Sequence, residues 1–163
     1  MNVMKDILNL SKTNKVVCFF DMDGTCVEYG ANEKPLLLAN EPNFFLNKRP
    51  LRSIIKKMKR LSKMNNVTVK ILSNCYFEEQ KEDKISWLKK YAGFIKPEDI
   101  NIIVLNNEKY TPETKDNLKA NRIKSIVGND SEIYLFEDDQ RIMYVTMKIM
   151  PEVHVCHVST LID

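Results

Sequence analysis

Three apolar runs in the chain each end directly in oxygen-bearing side chains. Val16-Val17-Cys18-Phe19-Phe20 runs into Asp21-Met22-Asp23-Gly24-Thr25, Val67-Thr68-Val69-Lys70-Ile71-Leu72 into Ser73-Asn74, and Ile133-Tyr134-Leu135-Phe136 into Glu137-Asp138-Asp139. Two carboxylates at i and i+2 around a bend can face one crevice, one as nucleophile or metal ligand and the other beside it. The chemistry this suits is phosphoryl transfer. A carboxylate can open the hydrolysis of a phosphate monoester by forming an aspartyl-phosphate, which splits one hard step into two. It repels the dianion unless cations intervene, and magnesium, a hard ion held by oxygen ligands, supplies them. Asp23 suits general acid and then general base work. Ser73 can donate to a phosphate oxygen, and a lysine adds fixed positive charge. Gly24, Thr25 and Asn74 stand beside these groups as candidate substrate contacts.

Those residues converge only if the elements carrying them are parallel strands, whose carboxyl ends share one edge of a sheet. The chain reads that way. A short amphipathic helix over residues 1–14 is expected to cover an edge of the sheet, and the first apolar run follows as a strand buried on both faces. Pro50 is expected as the first residue of a helix whose stripe is Leu51, Ile54, Ile55, Met58 and Leu61. Its other face, Arg52, Lys56, Lys57, Lys59, Arg60 and Lys63, is a solvated basic face that can also attract phosphates. Ile85, Trp87, Leu88 and Tyr91 mark a second helix after Ser73, and Ile102-Ile103-Val104-Leu105 a third strand. A third helix carries Ile123, Ile126 and Val127, and Val153 to Val158 alternate as an edge or last strand. Alternating strands and helices predict an α/β fold, a parallel sheet with helices on both faces. The catalytic lysine is expected at Lys119, just before the apolar stripe of the third helix, with Lys115 as the alternative.

At 163 residues, 44% hydrophobic and 29% charged, the composition is that of a single ordinary globular domain. The net charge of +3, from 25 basic and 22 acidic residues, is too mild to argue for nucleic acid by itself. The cysteines Cys18, Cys26, Cys75 and Cys156 form no CxxC pair and read as free thiols of a cytoplasmic protein. No stretch has the roughly 18 apolar residues of a membrane span, and no signal-peptide run opens the chain. Residues 26–49 are too irregular for a helix and too long for a simple loop, which predicts a flap, small hairpin or minimal cap. The bland alternative for Asp21 and Asp23 is an Asp-Gly turn, against which the polar ends of two further strands weigh. His154 and His157 lack further zinc ligands and read as packing residues.

Phe19-Phe20-Asp21-Met22-Asp23-Gly24-Thr25 resembles the first motif of the haloacid dehalogenase-like (HAD) phosphohydrolase superfamily, Ile71-Leu72-Ser73-Asn74 its second, and Leu135-Phe136-Glu137-Asp138-Asp139 its fourth. The resemblance implies a three-layer Rossmann-like sheet and a magnesium-dependent phosphatase. It implies Asp21 as nucleophile and magnesium ligand, and Asp23 as general acid/base whose backbone carbonyl also ligates the metal. It further implies Ser73 as phosphate binder, Asp138 as ligand, and Asp139 as direct or indirect partner of the metal, a place Glu137 could take instead. No insert is large enough for a full cap domain, so the expected substrate is a phosphorylated molecule reaching an open site. Lys84-Ile85-Ser86-Trp87-Leu88 is loosely similar to deoxyribonucleotidase-like members, which makes a nucleotide one expectation. A polynucleotide end is another, helped by the basic helix. The competing reading is a phosphate-binding or regulatory protein with the same fold and little turnover.

Overall fold

The computed structural model describes residues 2–29, 43–105, 112–128 and 130–162. Helices α1 (Val3–Leu10), α2 (Arg52–Leu61), α3 (Glu78–Tyr91), α4 (Pro112–Ile126) and α5 (Gln140–Ile149) alternate with strands β1 (Lys15–Phe20), β2 (Val67–Cys75), β3 (Ile100–Val104), β4 (Ser131–Glu137) and β5 (His154–His157). The strands make one parallel sheet in the order β3-β2-β1-β4-β5. Its centre is β1, as an unbroken apolar run requires: Val16 to Phe20 are all buried, which demands cover on both faces.

Successive strand residues face opposite ways, and the core divides accordingly. Val16, Cys18, Phe20, Val69, Ile71, Tyr134 and Phe136 lie on one face, against Val3 and Ile7 of α1, Ile54, Met58 and Leu61 of α2, and Trp87 and Leu88 of α3. Val17, Phe19, Leu72, Ile133 and Leu135 lie on the other, against Ala120 and Ile123 of α4. The fold is the expected three-layer α/β arrangement. Two details differ from the sequence reading. Helix α1 packs on a face rather than an edge of the sheet, because Val3 and Ile7 carry its apolar surface into the main core. Pro50 is not the first residue of α2: it bridges antiparallel to Val27, and the helix starts two residues later at Arg52.

That bridge closes the base of the irregular segment. Glu28 N donates to Arg49 O at 2.9 Å and Leu51 N to Cys26 O at 2.8 Å. Between these ends, residues 30–42 with the Leu36-Leu37-Leu38 cluster lie outside the described residues, as do 106–111. On the return side, Phe45 and Lys48 are buried, and Trp87 Nε1 of α3 donates to the Lys48 carbonyl at 2.9 Å. Among the described residues, no helix is long and apolar enough to cross a membrane.

Candidate active site

Strand register brings the acids together. Phe20 pairs with Phe136 across β1 and β4, so Asp21 and Glu137, the next residue of each strand, come to the same level. On the other side Phe20 pairs with Ile71, which leaves Ser73 just beyond the end of β1. The chain crosses from the β3 edge to β4 next to β1, and at such a reversal of strand order a crevice opens at the carboxyl ends. There a cavity of about 290 Å³ is lined by Asp21, Asp23, Ser73, Asn74, Lys119, Glu137, Asp138 and Asp139, among others.

Two buried lysines organise these groups. Lys119, on the inner side of α4, donates to Asp21 Oδ1 and to Glu137 Oε2, each at 2.6 Å. Burial works against its charge, but Asp21 and Glu137 outweigh it and hold the ammonium above its ordinary pKa. Lys84 of α3 is fully buried and donates to Asp23 Oδ2 at 2.5 Å, Asn74 O at 2.7 Å and Ser73 Oγ at 2.9 Å. Lys115, the alternative lysine, stands 5.5 Å over the Tyr76 ring and is not paired with these acids in the same way.

Asp21, Glu137 and Asp138 each offer an oxygen within 4.8 Å of the others. Both Glu137 and Asp138 are pushed upward, first by burial and then by the charge of Asp21, Glu137 to about 8. That is the direction expected where carboxylates outnumber cations. Four carboxyl groups (Asp21, Asp23, Glu137, Asp138) against two ammonium groups (Lys84, Lys119) make a set of hard oxygen donors with surplus negative charge, which fits a divalent cation. Asp139 lies outside this cluster: its Oδ1 accepts from Arg141 N at 2.8 Å and caps α5. Asp23 meets the site through its bond to Lys84, and its Oδ1 is buried with no partner among the described residues.

Gly24 and Thr25 serve Asp138 more than the cavity. At Gly24, φ is +73°, and a Cβ there would fall 2.1 Å from Asp138 Oδ2, so only glycine lets the turn come this close. Thr25 is fully buried with its hydroxyl 3.5 Å from Asp138 Oδ1. Cys26 is packed beneath, its thiol 3.0 Å from the Asp21 carbonyl and pushed well above its ordinary pKa by burial. Cys75 is raised likewise, to about 11. His154 stacks on Tyr134 and lies 3.2 Å from Glu132, while His157 bonds Ser159.

The role of Lys84 was not read from the sequence, although a signal existed. The buried face of α3 is Gln80, Lys84, Trp87 and Leu88, a helical stripe with a lysine at a core position. Glu137 also had one. It continues the Ile133, Leu135 parity of β4, the face that looks toward α4 and Lys119.

No protein-family model and no curated protein matches the chain. Solved structures do. The HAD domain of the effector protein Lem4 from Legionella pneumophila superposes with a TM-score of 0.56 at 14% identity, over 88% of this chain and 86% of that one. Its inactive mutant gives 0.53 at 14% identity, over 88% and 85%. The N-terminal part of BF1531 from Bacteroides fragilis, described as containing a phosphatase domain complexed with Mg, gives 0.54 at 15% identity, over 93% of this chain and 39% of that one. The chain has the fold of these HAD domains.

Proposed function

We propose that the chain is a magnesium-dependent phosphomonoester hydrolase that works through an aspartyl-phosphate on Asp21. The observation that carries this reading is the meeting of Asp21, Asp23, Ser73, Lys119, Glu137 and Asp138 around one small cavity. Asp21, Glu137 and Asp138 would hold the metal, which when bound neutralises the phosphoryl oxygens. In the first step an Asp21 carboxylate oxygen attacks phosphorus, the bond to the leaving oxygen breaks, and Asp23 gives that oxygen a proton. In the second, Asp23 takes a proton from water, the water oxygen bonds to phosphorus, and the bond to Asp21 breaks to release inorganic phosphate. Lys119 spends two of its three N–H bonds on Asp21 and Glu137, which fixes the nucleophile; the third is the one a phosphoryl oxygen would take. Ser73 donates to another.

The leaving group departs on the side of Asp23. There a cavity of about 400 Å³ is bounded by Tyr29, Phe44, Tyr76, Lys115 and Arg141 among others. Flat rings beside both basic and acidic groups, Lys115 and Arg141 with Asp116 and Asp139, favour a substrate with a ring and further polar substituents, and a nucleotide is the reading we adopt.

The test is phosphate release from an aryl phosphate and from a panel of nucleotides and phosphorylated oligonucleotides. Turnover should need magnesium, vanish with a chelator and vanish in Asp21→Asn. If wild type and Asp21→Asn release phosphate equally, the reading is wrong. If magnesium and phosphate raise the melting temperature of a protein that turns nothing over, the chain is a phosphate-binding protein instead.

A further inference from the structure

Lys84 takes no part in the steps above, yet it is completely buried. An ammonium held away from water is costly unless its donors are all used. They are: Asp23 Oδ2, Asn74 O and Ser73 Oγ receive its three N–H bonds at 2.5, 2.7 and 2.9 Å, and the Phe45 ring lies 4.5 Å away. No donor is left for a substrate. We infer that Lys84 is a positioning residue that sets the hydrogen-bond polarity of the substrate pocket, making Ser73 an obligatory donor.

The argument turns on what a hydroxyl can do. Ser73 Oγ receives a lysine N–H on a lone pair, so its single hydrogen must point elsewhere. Ser73 is fully buried and lines the cavity, and none of the described residues accepts that hydrogen. The hydrogen is therefore turned toward the reacting group. A phosphoryl oxygen only accepts, so this is the polarity it needs. Without Lys84, the Asp23 carboxylate and the Asn74 carbonyl lose their donor and compete for the same hydrogen. Ser73 would then turn a lone pair toward the phosphate, and the two would repel. The same lysine holds Asp23 Oδ2. It thus acts on the substrate-facing hydroxyl of Ser73 without touching the substrate.

The inference rests on the phosphatase reading, and its test separates the two. Inorganic phosphate binding in the presence of magnesium is measured for wild type, Lys84→Met, Ser73→Ala and the double variant, beside kcat and KM for an aryl phosphate and the affinity for magnesium alone. Loss of one hydrogen bond to a charged group predicts a phosphate Kd roughly tenfold higher in each single variant. The double variant should be within about twofold of the worse single one, because the lysine works through the serine. Magnesium affinity should not fall below that of wild type, because the variants remove no metal-holding carboxylate and Lys84→Met removes an opposing cation. Lys84→Met with wild-type phosphate affinity and kcat overturns the inference, and so does a double variant whose losses multiply. Should Lys84→Met not fold, Lys84→Gln enters the same cycle and is held to the same outcomes. A wild type that neither binds phosphate nor turns over refutes the phosphatase reading itself, whereas an active wild type with an indifferent Lys84 refutes only the inference.

Discussion

Lys119→Met removes a cation while keeping most of the side-chain volume. Lys119 Nζ lies 2.6 Å from both Asp21 Oδ1 and Glu137 Oε2, and the three side chains are 5%, 6% and 2% exposed. Water has little access to take over the lost bonds. Removing one member of a buried ion pair costs about 3–5 kcal/mol, which for a chain of this length lowers the melting temperature by roughly 6–20 °C. The effect has a sign in pH. With the lysine present, burial and then Asp21 already raise Glu137 from an ordinary 4.5 to about 8, and Lys119 opposes that rise. Without Lys119 the carboxyl goes higher still. A carboxyl whose folded pKa exceeds its unfolded one binds more protons in the folded state, so stability is lost as pH rises from the lower value to the higher. The deficit of the variant should therefore hold steady up to about pH 8, where Glu137 is protonated in both folded proteins, and widen above it in a chelator, where wild-type stability stops falling and the variant's goes on falling. Saturating magnesium should raise the variant's melting temperature by more than it raises the wild type's, because it restores positive charge to the same carboxylates. Calorimetric melts over this range, with and without magnesium, measure all three. A variant that melts with wild type in chelator, or whose deficit does not widen above about pH 8, refutes the account of Lys119 as the counter-charge of the acids.

Two further outcomes follow from the same geometry. Magnesium affinity of the wild type should rise with pH until about 8 and then level, because Glu137 must release its proton to ligate. Titration calorimetry in buffers of different ionisation enthalpy reads both the affinity and the proton released, and a flat profile speaks against Glu137 as a ligand. Gly24→Ala places a methyl 2.1 Å from Asp138 Oδ2 at a φ of +73°. It should cost about 1–3 kcal/mol in urea unfolding and displace Asp138 enough to weaken magnesium by about tenfold or more. Wild-type magnesium affinity in that variant would show that the close approach does not matter.

The fold was readable because β1 has no polar residue from Val16 to Phe20, and such a strand exists only under cover on both faces. Once the strands were parallel, Asp21, Asp23, Ser73 and Asp138 had to share an edge. Lys119 could be chosen over Lys115 because it sits one turn before Ile123 on the buried side of α4. What stayed hidden depended on side-chain direction. Glu137 looked like one acid of three; it differs from Asp139 because β4 ends at Glu137, while Asp139 lies beyond the strand and caps α5. Lys84 entered only through a loose resemblance of its stretch to deoxyribonucleotidase-like members, although its i+3 and i+4 neighbours place it beside Trp87 and Leu88. Pro50 fits a helix start on preference alone, but the Val27 bridge, a contact distant in sequence, claims it first.

The rungs that join Glu28 to Arg49 and Cys26 to Leu51 have an evolutionary consequence. They clamp the departing and returning chain next to each other, so the register of Asp21, Asp23 and Gly24 is set below the clamp. Lengthening a segment held at both ends costs only about 0.6 kcal/mol per doubling. Residues can thus be added between the rungs at little cost while the carboxylates beneath stay where they are, provided that Phe45 and Lys48 keep their buried places beside α3.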